Sequence, residues 1–204
     1  MKKSTEYIAL FCFLTLIIII TFYEVYLGAK IFVSGDSLSP ISIREGIRNL
    51  ININSDYPLW IPWIFSGMPS IHSFINISSL YYPHEIFLFL NKIGFPWIWN
   101  FLFHLIFSGI GMYSLLRYLS CSKYSSLFAS ILFMISPYMI AMTVFGHGSQ
   151  VMTASYIPFI ALLLFKIYDA SNKFYYIPIF SILIGFQLQR GHIQIAYYTW
   201  MMIG

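Results

Sequence analysis

Charge is scarce in this 204-residue chain: eleven Lys and Arg with seven Asp and Glu make up only 9% of it, well below the ~25% that soluble globular proteins normally carry. The shortage excludes a soluble single domain, a secreted mini-domain and a disordered chain. Cysteine is almost as rare, with Cys12 inside the first apolar run and Cys121 in a short gap. Their expected positions lie at different depths or on different sides of a bilayer, so no disulfide framework follows. Neither has a Cys or His neighbour at zinc-ligand spacing, and both read as packing residues. P-loop, His-Glu-x-x-His and nucleophile-elbow motifs are absent as well, which argues against the commonest nucleotide enzymes and hydrolases.

What the chain has in abundance is apolar surface: it is 59% hydrophobic and 20% aromatic, with a mean hydropathy of +0.76. Only lipid tolerates that much apolar surface outside a core, so the composition predicts an all-α polytopic membrane protein with the bilayer as its partner. A net charge of +4 would point to nucleic acid in a soluble protein. Here the basic residues fall in the gaps between apolar runs, which is a topology signal, and no nucleic-acid partner is expected.

The runs at 7–23, 97–116, 125–145, 151–165, 174–188 and 193–204 predict about six transmembrane helices within one membrane domain, separated early by a long extracytoplasmic loop at 24–96. The first run is read as a retained anchor and not as a signal peptide. It is long for a signal core, and only a weak Leu27-Gly28-Ala29 follows as a cleavage site. Starting with Lys2 and Lys3 in the cytoplasm, successive crossings place Arg117, Lys123, Lys166 and Lys173 inside and only Arg190 in a short outer loop. The last run offers about twelve residues where about twenty are needed, so the sequence reads as the N-terminal part of something larger.

Within the long loop, Ser39-Pro40 resembles a helix N-cap with proline at the first helical position. Ile43, Ile47, Leu50 and Ile51 then form one apolar stripe, with Arg44, Glu45 and Arg48 elsewhere, as in an amphipathic helix lying on a membrane surface. The stretch 84–95 is expected at the surface too, and Trp97 and Trp99 mark the return into lipid.

Several residues are candidates for chemistry. Asp36, in Ser34-Gly35-Asp36-Ser37, would stand just above the outer bilayer surface, either in an ordinary turn or as a general base or metal ligand. Two outer loops share a pattern: Gly146-His147-Gly148-Ser149-Gln150 and Arg190-Gly191-His192-Ile193-Gln194. Each sets Gly, His and Gln at the start of a helix, where free N–H groups and the dipole favour an anion, so a lipid-linked phosphate fits there as well as plain capping does. His104 lies inside the second crossing and reads as a hydrogen-bonded packing residue. Ser108, Gly111 and Ser114 would let a neighbouring helix approach closely. Glu85 can pair with His84 or act in the site. His72, Arg44 and Glu45 read as solvated surface.

Gly35-Asp36-Ser37, Pro58-Leu59-Trp60-Ile61-Pro62, Phe65-Ser66-Gly67-Met68-Pro69, Tyr82-Pro83 and Gly191-His192-Ile193-Gln194-Ile195-Ala196-Tyr197-Tyr198 follow the first crossing in a telling order. In them the chain resembles the bacterial YfhO family of membrane proteins, whose architecture is similar to that of GT-C glycosyltransferases. The resemblance runs through most of the chain. It implies an enzyme of the bacterial cytoplasmic membrane that moves a sugar from a polyprenyl-phosphate carrier to a cell-envelope acceptor on the outer face. By the same resemblance, Asp36 would be the general base or would help hold a divalent metal ion, although Ser37 follows it where many such enzymes carry a second acid. Arg190, His192, Gln194, His147 and Gln150 would hold the carrier phosphate. The alternative is a non-enzymatic lipid or oligosaccharide transporter, or an envelope-assembly protein, in which the same polar positions line a path or a contact.

Overall fold

The computed structural model describes residues 3–27, 30, 32–56, 58–69, 81–171 and 173–204. In chain order its elements are α1 Lys3–Thr21, α2 Tyr23–Leu27, α3 Gly35–Asn54, β1 Trp60–Ile61, β2 Met68–Pro69, α4 His84–Lys92, α5 Trp99–Tyr118 and α6 Lys123–Met134. There follow α7 Pro137–Val144, α8 Gly148–Ala154, α9 Ile157–Asp169, α10 Tyr176–Gln189 and α11 Ile193–Ile203. The protein is mostly helical, at 73%, and is of the all-α membrane class. Four stretches are long and apolar enough to cross a bilayer: Ser4–Thr21, Trp99–Tyr118, Lys123–Val144 and Gly148–Asp169. They coincide with the first four expected crossings. The fifth and sixth correspond to the shorter α10 and α11, of 14 and 11 residues.

Two of the four spans are broken, and the sequence says why. Ser136 and Pro137 separate α6 from α7, with the Ser136 hydroxyl accepting from the Met139 N–H and Pro137 supplying a first helical residue that needs no donor. Pro158 does the same in the first turn of α9, just after the break at Ser155 and Tyr156.

Helix α5 is the hub. Leu102, Leu105 and Ile106 are fully buried on it, and α1 presents Leu10, Leu14 and Ile18 to the same core, one residue per turn, with Phe22 just past its end. The small-residue face allows this. A Cβ on Gly109 would stand 3.0 Å from Leu14 and 3.3 Å from the Ser130 hydroxyl, and one on Gly111 would stand 2.8 Å from the Phe159 ring. Ser130 donates to the Gly109 carbonyl at 2.7 Å, a bond that such close approach alone permits. The expected packing role of both cysteines holds only in part: Cys12 is exposed on α1 and Cys121 is half-buried.

The loop segment differs from expectation at its start. Helix α3 begins at Gly35, ahead of Ser39-Pro40, because the Leu38 N–H already donates to the Ser34 carbonyl at 3.1 Å. Asp36 therefore lies in a first helical turn, where the dipole favours an acid. Ile47 is buried and Ile43, Leu50 and Ile51 are half-buried, while the Trp63 ring from the β1–β2 hairpin lies against Gly46. Glu45 pairs with Arg48 at 3.2 Å in solvent. Helix α4 is less superficial than its sequence implied, since His84 and Phe87 are buried on it. His72, Gly28, Ala29 and the side chains of Asp36 and Arg44 lie outside the described residues.

Candidate functional site

The two glycine-histidine loops come together at the Trp99 end of α5. In each, a glycine takes a left-handed turn, Gly146 at φ 88° and Gly191 at φ 74°, and the following histidine is the N-cap of a helix. His192 Nδ1 accepts from the Ile195 N–H at 3.4 Å, so the capping expected of this residue is present. The two loops are close enough for His147 to act electrostatically on His192. Burial is the larger cause that holds His192 below the ordinary histidine range. The Ser34 hydroxyl donates to the Phe145 carbonyl at 2.8 Å, which fastens the Gly35-Asp36-Ser37 backbone to the same end.

Beneath these loops lies a buried polar cluster that no local sequence pattern announces. Tyr81, just ahead of α4, reaches across 23 residues to His104 on α5, with Tyr81 Oη 2.7 Å from His104 Nε2. It also bonds to the hydroxyl of Tyr156 at the α8–α9 break, 75 residues away. His104 Nδ1 lies 2.6 Å from the Asn100 carbonyl oxygen, an acceptor only. The contact fixes the Nδ1–H tautomer and leaves Nε2 to accept from Tyr81. Tyr81 in turn accepts from Tyr156, so every proton in the chain has one direction. His104 is thus hydrogen-bonded as expected, but inside a network whose other members, Tyr81 and Tyr156, carry no signal of it in the sequence.

Arg190 completes the cluster. Its guanidinium stacks on the Tyr81 ring, 4.7 Å from the centroid, and the residue is only 9% exposed. Among the described residues its Nε and Nη1 are buried with no hydrogen-bond partner, and no carboxylate forms an ion pair with it. Burial lowers its pKa from the ordinary arginine value while the Tyr81 and Tyr156 hydroxyls act the other way; the guanidinium keeps its charge at physiological pH. Nearby, His84 packs edge-on to Trp97 at 4.9 Å with Nδ1 unpartnered among the described residues. Burial, and then the Arg190 charge, push His84 below the ordinary histidine range. Tyr81 is pushed up, chiefly by burial.

Arg190 is held in place from one turn back. The buried Gln187 amide donates to the Thr153 carbonyl at 3.2 Å and to Thr199 Oγ1 at 2.9 Å, tying α10 to α8 and α11. Beside the cluster is an apolar cavity of about 200 Å³ between Phe87, Phe103, Phe107, Phe186 and Leu183, with Tyr81, His104 and Tyr156 on its wall.

Of the other expected site residues, Gln194 is exposed and donates to Tyr198 Oη at 3.0 Å. Gln150 accepts from the Tyr138 hydroxyl at 3.3 Å. Glu85 is exposed beside His84. Among the described residues no three His, Cys, Asp or Glu side chains gather as a metal site, so these residues alone do not make the expected divalent-metal centre. No family model, curated protein or solved structure matches this chain.

Proposed function

We propose that the Trp99 end binds the phosphate of a polyprenyl-phosphate-linked sugar, and that the chain is part of a membrane glycosyltransferase acting on a cell-envelope acceptor. The observation that carries this reading is Arg190: a buried guanidinium with two unpartnered nitrogens needs an anion, and the described protein supplies none. Arg190 does not line the apolar cavity but stacks on Tyr81, which does, so a phosphate held by those nitrogens would stand next to the phenylalanine-lined wall that the lipid chain would follow. The positive-inside bias of Arg117, Lys123, Lys166 and Lys173 supports a topology in which this end faces outward from a bacterial cytoplasmic membrane and the N-terminus lies inside.

In this reading the acceptor hydroxyl oxygen attacks the anomeric carbon, and the bond from that carbon to the phosphate oxygen breaks. The acceptor proton passes to the Asp36 carboxylate, and the leaving phosphate takes the electron pair beside Arg190. His84 and His192, kept neutral by burial, would act as hydrogen-bond partners without adding charge.

The test is binding of a polyprenyl phosphate to the purified full chain, paired with envelope-glycan mass spectrometry in cells. Arg190→Gln is expected to weaken binding by about tenfold or more, the value of a charge-assisted bond. Asp36→Asn is expected to keep binding and lose one sugar decoration. Unchanged carrier binding in Arg190→Gln would overturn the phosphate site. Full decoration with Asp36→Asn would remove that residue as the base and favour a transporter, which has no need of the carboxylate.

A further inference from the structure

We infer that the opposite end of α5 carries a second, independent site, which takes the phosphodiester headgroup of an anionic membrane lipid. Here α1, α5 and α9 enclose a half-open cleft of about 360 Å³ whose wall includes Glu6, Tyr113, Arg117, Tyr118 and Lys166. Two of these are cations. Arg117 gives one N–H to the Cys121 carbonyl at 2.8 Å, and Lys166 Nζ stands 5.9 Å and 5.7 Å from the ring centroids of Tyr118 and Tyr176.

The carboxylates at this end are already engaged by tyrosines. Tyr113 donates to Glu6, and Tyr118 donates to Asp169 at 2.7 Å. The ion pairs among the described residues are Glu24 with Lys30 and Glu45 with Arg48, both elsewhere. No carboxylate is in ion-pair contact with Arg117 or Lys166 among the described residues, and although Glu6 brings a negative charge to the same cleft, Arg117, Lys166 and the nearby Lys123 outnumber it.

Depth identifies the ligand. The cleft lies where three spans stop, at the beginning of Ser4–Thr21 and at the ends of Trp99–Tyr118 and Gly148–Asp169. Headgroups, not acyl chains or bulk solvent, occupy that level, and tyrosines such as Tyr7 and Tyr118 mark it. A basic pocket between helices at headgroup depth is suited to a phosphodiester whose acyl chains run along the exposed helix faces. Free phosphate shares the anion but has no use for that position.

Native mass spectrometry of the full chain, released from nanodiscs of equal phosphatidylglycerol and phosphatidylcholine, reads the occupant directly. The wild-type protein is expected to retain phosphatidylglycerol in about tenfold excess or more, the preference that two cations near an anionic headgroup supply. Arg117→Gln with Lys166→Gln should bring the ratio to about one, and Lys166→Arg should keep it. A preference that survives the double substitution overturns the site. Soluble glycerol 1-phosphate that displaces the lipid at equal concentration overturns the lipid as its source. If the double variant fails to fold, loss of preference in Lys166→Gln against retention in Lys166→Arg decides the same question. Neither result depends on Arg190, which lies at the other end.

Discussion

The two ends of α5 handle positive charge in opposite ways. At the Trp99 end, a single guanidinium is sunk beneath two histidine loops and stacked on one ring, with nitrogens that nothing described satisfies. At the Tyr118 end, Arg117 is exposed and Lys166 half-buried in an open cleft, each with partial partners. Burial is what separates them. An exposed cation keeps its water and costs the fold little, whereas a buried one without a counter-charge is a standing liability kept for something outside the polypeptide. The contrast predicts binding at both ends but strain at only one.

The largest expected effect tests that strain. Arg190→Met, close in length and uncharged, should raise the thermal midpoint, with a gain of about 2 kcal/mol, while abolishing phosphate binding. Arg117→Met should leave the midpoint unchanged. Thermal unfolding of the two variants side by side measures the difference, and a destabilised Arg190→Met would show that the charge is already compensated within the protein.

Backbone proximity gives the next effect. A Cβ on Gly148 would lie 1.9 Å from the Phe101 ring, so Gly148→Ala should cost about 1–3 kcal/mol by overpacking. Gly185, mid-way along α10, has nothing within 4 Å, and its change to Ala should stabilise by about 0.5–1 kcal/mol. Chemical denaturation of both variants distinguishes a built close approach at the loop end from an ordinary helical glycine.

Tyr81→Phe separates the two duties of that residue. Losing the hydroxyl strands Tyr156 and His104, at a cost of about 1–3 kcal/mol. The ring that supports Arg190 remains, so phosphate binding should survive in Tyr81→Phe and fail in Tyr81→Leu. Calorimetric binding of a polyprenyl phosphate to each variant is the check.

The smallest effect is in pH. His84 and His192 are both held below the ordinary histidine value, so the unfolded chain takes up protons first as pH falls. Stability is complete above about pH 6.5 and declines below it, until the folded-state values are reached. Thermal midpoints between pH 8 and pH 5 should show this decline, and His84→Gln with His192→Asn should reduce it without abolishing it, because the buried His104 is still present to take up a proton on unfolding. Among the described residues the Tyr118 end contributes no histidine to the slope.

How much of this was legible in the sequence differs between the two regions for a physical reason. The spans and the small-residue face of α5 leave local, periodic traces, and so do the paired Gly-His loops, each of which needs only its own neighbours to form. The start of α3 was misplaced because Ser39-Pro40 satisfies the usual start rule, while the bond from Leu38 to Ser34 begins the helix earlier. Tyr81 and Tyr156 leave no trace of the cluster, since its bonds span 23 and 75 residues and tyrosine is common in this chain. An ionisable His104 in the second turn of α5 is the one available sign that polar partners have to converge there. Gln194 and Gln150 adjoin the loops in sequence, yet their side chains bond to Tyr198 and Tyr138.

The one-way order of the buried hydrogen bonds has a consequence for what can enter the cavity. Because Asn100 can only accept, each proton upstream is committed, and Tyr156 is left with lone pairs but no proton to offer. A visitor reaching Tyr156 must therefore arrive bearing a hydrogen of its own. A sugar hydroxyl meets that condition and a fully ionised phosphate does not, so under the proposed function a glycosyl phosphate would be sorted end for end, hydroxyls toward Tyr156 and anion toward Arg190.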